Sequence, residues 1–137
     1  MNMIGLAERA LSEADTIAVV GLSRDPSKEA HAVPVQLHAA GFRIIPVNPW
    51  ADELLGEKVY RSLTDIPERV DLVDVFRPAE YAPAIAEQAV AIGAKTLWLQ
   101  QGIVSPEARR IATDAGLAYI DDTCIAVVRA IGRITKH

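Results

Sequence analysis

The sequence predicts an α/β domain with five parallel strands and helices on both faces of the sheet. Short, almost wholly apolar runs alternate with longer amphipathic segments along the whole chain, which is the pattern of strand–helix units in a parallel sheet. Glycine, proline or asparagine stands at most of the boundaries between these segments, where such residues end helices and strands. The 137 residues contain no repeat or linker and suit one domain, 1–137, around a single core.

The first half of the chain begins with an amphipathic helix at 3–14. Strands are predicted at 17–20 and 43–47, with a helix at 31–40 between them. In that helix Pro34 is assigned to the first turn, where a missing N–H group is tolerated, and Gly41 is a plausible residue after the helix end. The segment 51–67 is the least regular, with one short extended piece at 58–60.

The second half of the chain contains three more strands that alternate with three helices. The strands are predicted at 71–76, 96–100 and 117–120. One helix is predicted at 79–92, a second from Ser105 to Gly116, and a third after the last strand as far as Ala130. Ser105 followed by Pro106 is a typical helix start, and residues 121–123 offer N-caps for the last helix. Right-handed crossovers favour the strand order 3-2-1-4-5, counted along the chain.

Composition excludes several classes of function. The formal net charge is −4 and no basic stripe exists, which argues against nucleic acid. Apolar runs stop well short of the roughly 18 residues of a membrane span, and the first residues lack the pattern of a secretion signal. The single cysteine, Cys124, cannot form an intramolecular disulfide and fits the reducing cytoplasm. No residues have the spacing of a metal site.

The turn after the first strand predicts a phosphate-binding loop. Gly21 removes the Cβ that would block close approach, and the loop adds backbone N–H groups, the Ser23 hydroxyl and the cations Arg24 and Lys28. Taken singly, these two cations are equally explained as solvated loop charges. A dinucleotide fingerprint would require further glycines and, about 20 residues later, an acidic residue. The second strand ends instead in Asn48-Pro49, which argues against NAD.

Ligands of open α/β sheets bind at the carboxyl ends of the strands. Here those ends are the segments 21–28, 47–50, 76–78, 100–104 and 121–124. Phe76-Arg77-Pro78 is the strongest of the later segments, because it places a planar cation directly after a buried strand. Trp98 is assigned to the core, whereas Trp50 either covers an adenine ring or caps the irregular region. His31, near the phosphate-binding loop at a predicted helix start, is a candidate for a hydrogen bond to phosphate.

No catalytic constellation is recognised in the sequence. No histidine is placed beside Ser23 by any spacing rule, and Asp121 and Asp122 are explained as helix N-caps. Cys124 is either a small buried side chain or a thiol activated in the first turn of a helix, and the first explanation is favoured.

Several motifs in a fixed order resemble the single-domain CoA-binding protein family, which is similar to the amino-terminal CoA-binding domain of the succinyl-CoA synthetase α subunit. The motifs that carry this resemblance are IAVVGLS (17–23), PVNP (46–49), VDLVDVFRP (70–78), GAKTLWLQQGI (93–103) and DTC (122–124). The resemblance covers almost the whole chain and implies a Rossmann-like domain that binds coenzyme A or an acyl-CoA.

The resemblance also assigns site residues. It places Gly21, Leu22 and Ser23 at the pyrophosphate, Val47, Asn48 and Pro49 beside the adenosine, and the rest of the groove along Phe76, Arg77, Pro78, Gln101, Gly102 and Ile103. The chain departs from the family pattern at Thr123, where the family usually has arginine, and at Ala30 and Ala32, where it often has serine and arginine. These losses of polar groups bear on affinity and on the choice of acyl-CoA.

Three functions remain as alternatives. The first is binding of CoA or acyl-CoA without catalysis, and a protein partner or a second copy of the chain is left open. The second is the CoA-binding subunit of a multi-chain acyl-CoA ligase, although the synthetase domain with the phosphorylated histidine is not recognised in this sequence. The third is an NAD(H)-binding redox or sensor domain.

Overall fold

The computed structural model describes residues 3–136. Its helices are α1 (Met3–Glu13), α2 (Glu29–Ala39), α3 (Ala82–Ala91), α4 (Pro106–Asp114) and α5 (Ile125–Gly132), with short 3-10 turns at Leu63–Asp65 and Ala79–Tyr81. Its strands are β1 (Thr16–Val20), β2 (Arg43–Val47), β3 (Glu53–Leu54), β4 (Glu57–Lys58), β5 (Leu72–Val75), β6 (Thr96–Leu99) and β7 (Ala118–Ile120). Each predicted helix and strand is present, with boundaries shifted by a few residues.

The main sheet has five parallel strands in the order β2-β1-β5-β6-β7, and β3 and β4 form a separate antiparallel pair. The predicted fold class, a Rossmann-like parallel α/β sheet, is therefore confirmed. Alternate residues of each strand face opposite layers: Ile17 and Val19 contact the core under α1, α2 and α5, whereas Ala18 and Val20 contact the core under α3 and α4. None of the helices in the described range is both long and apolar enough to cross a membrane.

The predicted strand order was wrong in one respect. The third predicted strand, β5, lies on the far side of β1 from β2, which gives 2-1-3-4-5 for the five predicted strands. The place beside β2 is occupied by Tyr60, which forms an isolated parallel bridge with Val47. The Tyr60 amide donates to Pro46 O (3.1 Å), and Tyr60 O accepts from the Asn48 amide (3.0 Å). The short extended piece at 58–60 thus stands where a third strand would lie.

The expected place of Pro34 was also wrong. Helix α2 begins at Glu29, so Pro34 lies inside the helix and not in its first turn. A proline leaves the carbonyl four residues earlier without its helical donor. That carbonyl, Ala30 O, accepts the amide N–H of Ser23 at 3.0 Å. The proline therefore frees an acceptor that fixes the turn after β1.

Of the two N-caps predicted in the second half of the chain, that of α4 is confirmed and that of α5 is not. The Ser105 hydroxyl accepts from the Ala108 amide at 3.1 Å, as an N-cap should. The expected capping of α5 by Asp121 or Asp122 was wrong, because Cys124 occupies the N-cap position and makes no side-chain cap bond. The Asp122 carboxylate accepts from the Gly102 amide at 2.7 Å and that of Asp121 from the Tyr119 hydroxyl at 3.0 Å.

Candidate functional site

A recess that we call the main cavity opens at the carboxyl ends of β1, β2 and β5. It has a volume of about 320 Å³. Because β1 and β5 are neighbours, Gly21 and Arg77 meet at its floor: a Cβ at Gly21 would lie 3.2 Å from Arg77 Cδ. The lining residues are Gly21, Leu22, Ser23, Arg24, Lys28, Ala30, Asn48, Pro49, Trp50, Ala51, Phe76 and Arg77.

A second recess, the side cavity, adjoins the first and has a volume of about 240 Å³. The two cavities share Gly21, Pro49 and Arg77. The side cavity extends between the end of β2 and helix α3. Its remaining lining residues are Val20, Val47, Arg61, Ser62, Tyr81, Ala84, Ile85 and Gln88.

The turn after β1 is held from three sides. Gly21 has a φ of +93° and its amide donates to Val47 O at 2.9 Å. The Asn48 side-chain amide donates to Leu22 O at 2.8 Å. His31 Nδ1 donates to Ser23 O at 2.7 Å. His31 therefore braces the loop from behind and lines neither cavity, which differs from the phosphate contact for which the sequence makes it a candidate.

Several backbone donors of this turn are left for a ligand. The amide of Ser23 is used by Ala30 O, and its hydroxyl accepts from the Asp25 amide at 3.1 Å. Within residues 3–136, the amide N–H groups of Leu22, Arg24, Glu29 and Ala30 have no hydrogen-bond acceptor. The last two belong to the first turn of α2, where free N–H groups and the helix dipole favour an anion.

The main cavity is positively charged although the protein as a whole is acidic. Arg24, Lys28 and Arg77 line it, and none of its lining residues is Asp or Glu. Within the described part of the chain, these three cations form no ion pair. The carboxylate of Asp25 accepts from both the hydroxyl and the amide of Ser27, and these hydrogen bonds lower its pKa.

Arg77 is distinguished by its burial. It is half-buried, and its guanidinium carbon lies 4.4 Å from the centre of the Tyr81 ring. A cation–π contact of this kind contributes about 0.5–1 kcal/mol at an exposed site and more where water is excluded. The Tyr81 ring carries no negative charge, however, so the guanidinium retains its N–H donors for an anionic group.

One carboxyl group lies buried on β5, three residues before Arg77. Asp74 on β5 is fully buried, and its Oδ1 accepts from Gln100 Nε2 at 2.5 Å. Its Oδ2 has no partner among the described residues. Burial raises the pKa of Asp74 to about 7, against the opposing effect of the Gln100 hydrogen bond. This carboxyl is therefore only partly ionised near neutral pH.

The structure brings together most, but not all, of the residues that the sequence assigned to a site. The main cavity takes Gly21, Leu22, Ser23, Arg24, Lys28, Asn48, Pro49, Phe76 and Arg77, and Val47 lines the side cavity. Four assigned residues line neither cavity: Pro78, Gln101, Gly102 and Ile103.

Two residues for which the sequence left alternatives now have defined places. Trp50 is 78% exposed and lines the main cavity, whereas Trp98 is fully buried in the core as expected. Cys124 is half-buried, packs against the core and lines neither cavity.

Sequence reasoning missed the side cavity and its polar residues Arg61, Tyr81 and Gln88. A signal for Arg61 existed. It follows the extended piece at 58–60 just as Arg77 follows β5, so both lie at the carboxyl end of a strand-like segment. Tyr81 and Gln88 reach the cavity only through the packing of α3, for which the sequence offers no comparable signal.

Comparisons with known proteins agree with this geometry. A family model described as a CoA binding domain matches residues 15–130. The protein YneT of Bacillus subtilis is 42% identical over 121 residues, which cover 88% of this chain and 90% of YneT. A solved structure of ID.343 from Thermus thermophilus superposes with a TM-score of 0.89 at 40% identity and covers 96% of this chain and 99% of that one.

Larger enzymes contain a similar segment. The ADP-forming acetate–CoA ligase II of Archaeoglobus fulgidus is 37% identical over 82 residues, or 58% of this chain. The match spans only 12% of that ligase. The match of the family model over most of the chain shows that the protein belongs to the CoA-binding domain family.

Proposed function

We propose that this protein binds coenzyme A or an acyl-CoA in the main cavity, with the diphosphate on the turn 21–28. The observation that carries the proposal is the half-buried guanidinium of Arg77, which faces a cavity without carboxylates among its lining residues. Removing a cation from water without an opposite charge is unfavourable. An anionic ligand supplies that charge, and charge-assisted hydrogen bonds to phosphate are among the strongest available to a side chain.

The backbone of the turn supports a diphosphate in particular. The free amides of Leu22 and Arg24 lie on the turn itself, and those of Glu29 and Ala30 lie at the start of α2. Two sets of donors, on two successive segments, suit two linked phosphates better than a single carboxylate. Arg24 and Lys28 add positive charge at the open side of the cavity.

The end of β2 favours CoA over NAD. A dinucleotide site uses an acidic residue there to hold the ribose diol. The residue at this place, Asn48, has both ends of its side-chain amide occupied. Its Nδ2 donates to Leu22 O (2.8 Å), and its Oδ1 accepts from the amides of Trp50 (2.6 Å) and Ala51 (3.1 Å). Asn48 is therefore a brace between two loops and offers no acceptor for a diol.

We propose binding without catalysis. None of the residues that line the two cavities is a histidine, a cysteine or a carboxylate, so the site has no general base for Ser23. A single cysteine in the chain fits action in the reducing cytoplasm.

A second candidate is the CoA-binding subunit of an acyl-CoA ligase assembled from separate chains. The similarity to segments of ADP-forming acetate–CoA ligases favours it. It predicts stable co-purification with a chain that carries the remaining ligase domains. Recovery of the tagged protein alone from its own cells would count against this candidate.

Calorimetric titration with CoA, acetyl-CoA and NADH tests the primary proposal. We expect CoA and acetyl-CoA to bind with similar affinity, because the diphosphate is common to both, and NADH to bind at least about tenfold more weakly. Tighter binding of NADH than of CoA would refute the proposal.

A further inference from the structure

Arg61 lines the side cavity and was not among the residues expected at the site. Its Nη1 donates to Asn48 O at 3.1 Å and to Ala51 O, and its Nη2 donates to Asp52 Oδ1 at 2.7 Å. These bonds fix the guanidinium beneath the loop that follows β2. The side chain is nevertheless 49% exposed, and it lines the cavity.

The guanidinium of Arg61 has unused donors. Of the five N–H groups of an arginine side chain, three are used in these bonds, which leaves the Nε–H and one N–H of Nη2. Its ion-pair partner Asp52 has a side chain that is 95% exposed. Such an exposed pair contributes little free energy, so an anionic ligand can replace it.

The other walls of the side cavity suit a flat heterocycle. Val47, Pro49 and Ile85 provide apolar surface, and the Tyr81 ring lies alongside. Gln88 Oε1 accepts from the Ser62 hydroxyl at 3.2 Å, which leaves its side-chain NH₂ free. Side-chain amides pair well with the edge of adenine.

The two cavities adjoin each other, with Gly21, Pro49 and Arg77 lining both. A ligand whose diphosphate lies on the turn after β1 is therefore next to the side cavity and long enough, if it is a coenzyme, to reach it. None of the residues lining the side cavity is Asp or Glu, so a second anionic group on that ligand meets no repulsion from them.

We propose, on the basis of the function above, that the side cavity takes the phosphorylated adenosine end of the coenzyme and that Arg61 binds the phosphate monoester on its ribose. In dinucleotide-binding sheets an arginine near the end of the second strand accommodates a ribose phosphate where an acidic residue would hold a free diol. Here the arginine comes from the neighbouring strand-like segment at Tyr60. Arg61 thus selects CoA over dephospho-CoA, which lacks only that phosphate.

The test is a calorimetric comparison of CoA with dephospho-CoA on three proteins: the wild type, Arg61→Gln and Arg9→Gln. The last removes an exposed cation from α1, on the opposite face of the sheet from α3. We expect the wild type and Arg9→Gln to prefer CoA by roughly 10- to 100-fold. Arg61→Gln should bind both ligands alike, because only its affinity for CoA falls, and Arg61→Lys should retain part of the preference.

The outcomes separate this inference from the proposed function. If Arg61→Gln weakens both ligands equally and keeps their ratio, Arg61 only braces the loop and the inference is wrong. It is also wrong if the wild type binds the two ligands equally well, whereas CoA binding itself would then stand. Absence of binding of either ligand would remove the proposed function as well.

A second measurement on the wild type covers the case in which Arg61→Gln does not fold. Phosphorus NMR of bound CoA should show the 3′-phosphate resonance shifted and its pKa lowered by the guanidinium. An unchanged 3′-phosphate beside a shifted diphosphate would overturn the inference.

Discussion

The two ends of the sheet carry recesses of similar size and opposite charge. The main cavity, of about 320 Å³, lies at the carboxyl ends of the strands and contains three cations that have no ion-pair partner among the described residues. A recess of about 250 Å³ at the amino ends is lined by Glu13, Asp15, Thr16, Arg69 and Asp71. Its single arginine is paired, since Arg69 Nε lies 3.2 Å from Asp71 Oδ1.

The difference shows what makes one recess a site for anions. At the amino end Asp71 also accepts from the amides of Asp15 (3.0 Å) and Thr16 (2.9 Å), so its carboxylate joins the starts of β1 and β5. Asp15 is also paired, with Lys136 (3.4 Å), so most charges there have partners within the protein. At the carboxyl end, by contrast, the cations and several backbone N–H groups remain free to bind a ligand. The two ends differ in the charge of their lining residues and in the pairing of their cations, and not in cavity volume.

Loss of Arg77 should have the largest effect on ligand binding at the carboxyl end of the sheet. Arg77→Ala removes a half-buried guanidinium, and we expect CoA binding to weaken by about 1.5–3 kcal/mol. Arg69→Ala is the matched control, because it removes an arginine that is paired at the other end of the sheet. Calorimetry should show CoA affinity unchanged in the control. Equal losses in both variants would mean that general charge, and not the carboxyl rim, holds the ligand.

Asp74→Asn tests whether the buried carboxyl of β5 is protonated in the folded protein. Because burial raises the pKa of Asp74 to about 7, the folded protein keeps a proton that the unfolded chain loses at lower pH. This contribution to stability is complete below the ordinary pKa of 3.8, falls as the pH rises between the two pKa values and is fully lost above about 7. Compared with the wild type, Asp74→Asn should gain about 2–3 kcal/mol in free energy of unfolding between pH 5 and pH 8.

Urea denaturation at the two pH values measures this gain. Asp114→Asn, which changes an exposed carboxylate on α4, serves as the control and should follow the wild type. If Asp74→Asn also ran parallel to the wild type, Asp74 would not be protonated in the folded state at neutral pH.

A pair of glycine variants gives the smallest expected effect. Gly21 and Gly116 have φ angles of +93° and +86°, so alanine at either position costs about 1–2 kcal/mol of backbone strain. A Cβ at Gly21 would press on Arg77 Cδ, whereas one at Gly116 would meet nothing within 4 Å. Thermal melting should show similar destabilisation, while only Gly21→Ala weakens CoA binding, by about 1 kcal/mol. Unchanged CoA affinity in Gly21→Ala would show that Arg77 need not be held in place.

The fold was largely predictable because its elements have strong local signals. Five apolar runs of strand length, separated by helix-length segments and glycines, define the parallel sheet. The strand order was not predictable from the same signals. It depends on Tyr60, whose single bridge to Val47 fills the position beside β2 and whose local sequence is too short to be assigned as a strand.

The candidate site was predictable where it follows directly from strand ends. Gly21, Asn48 and Arg77 each come just after a strand and meet at one edge. The roles of Pro34 and Asp122 were not predictable, because each depends on a hydrogen bond to a distant part of the chain. The carbonyl that Pro34 frees accepts from Ser23, and Asp122 accepts from Gly102.

A crystal structure of the protein with CoA tests the central claim most directly. We predict the diphosphate against the amides of Leu22 and Ala30, with the Arg77 guanidinium within hydrogen-bond distance of a phosphate oxygen. A diphosphate bound away from the carboxyl rim, with Arg77 still resting on Tyr81, would contradict the account.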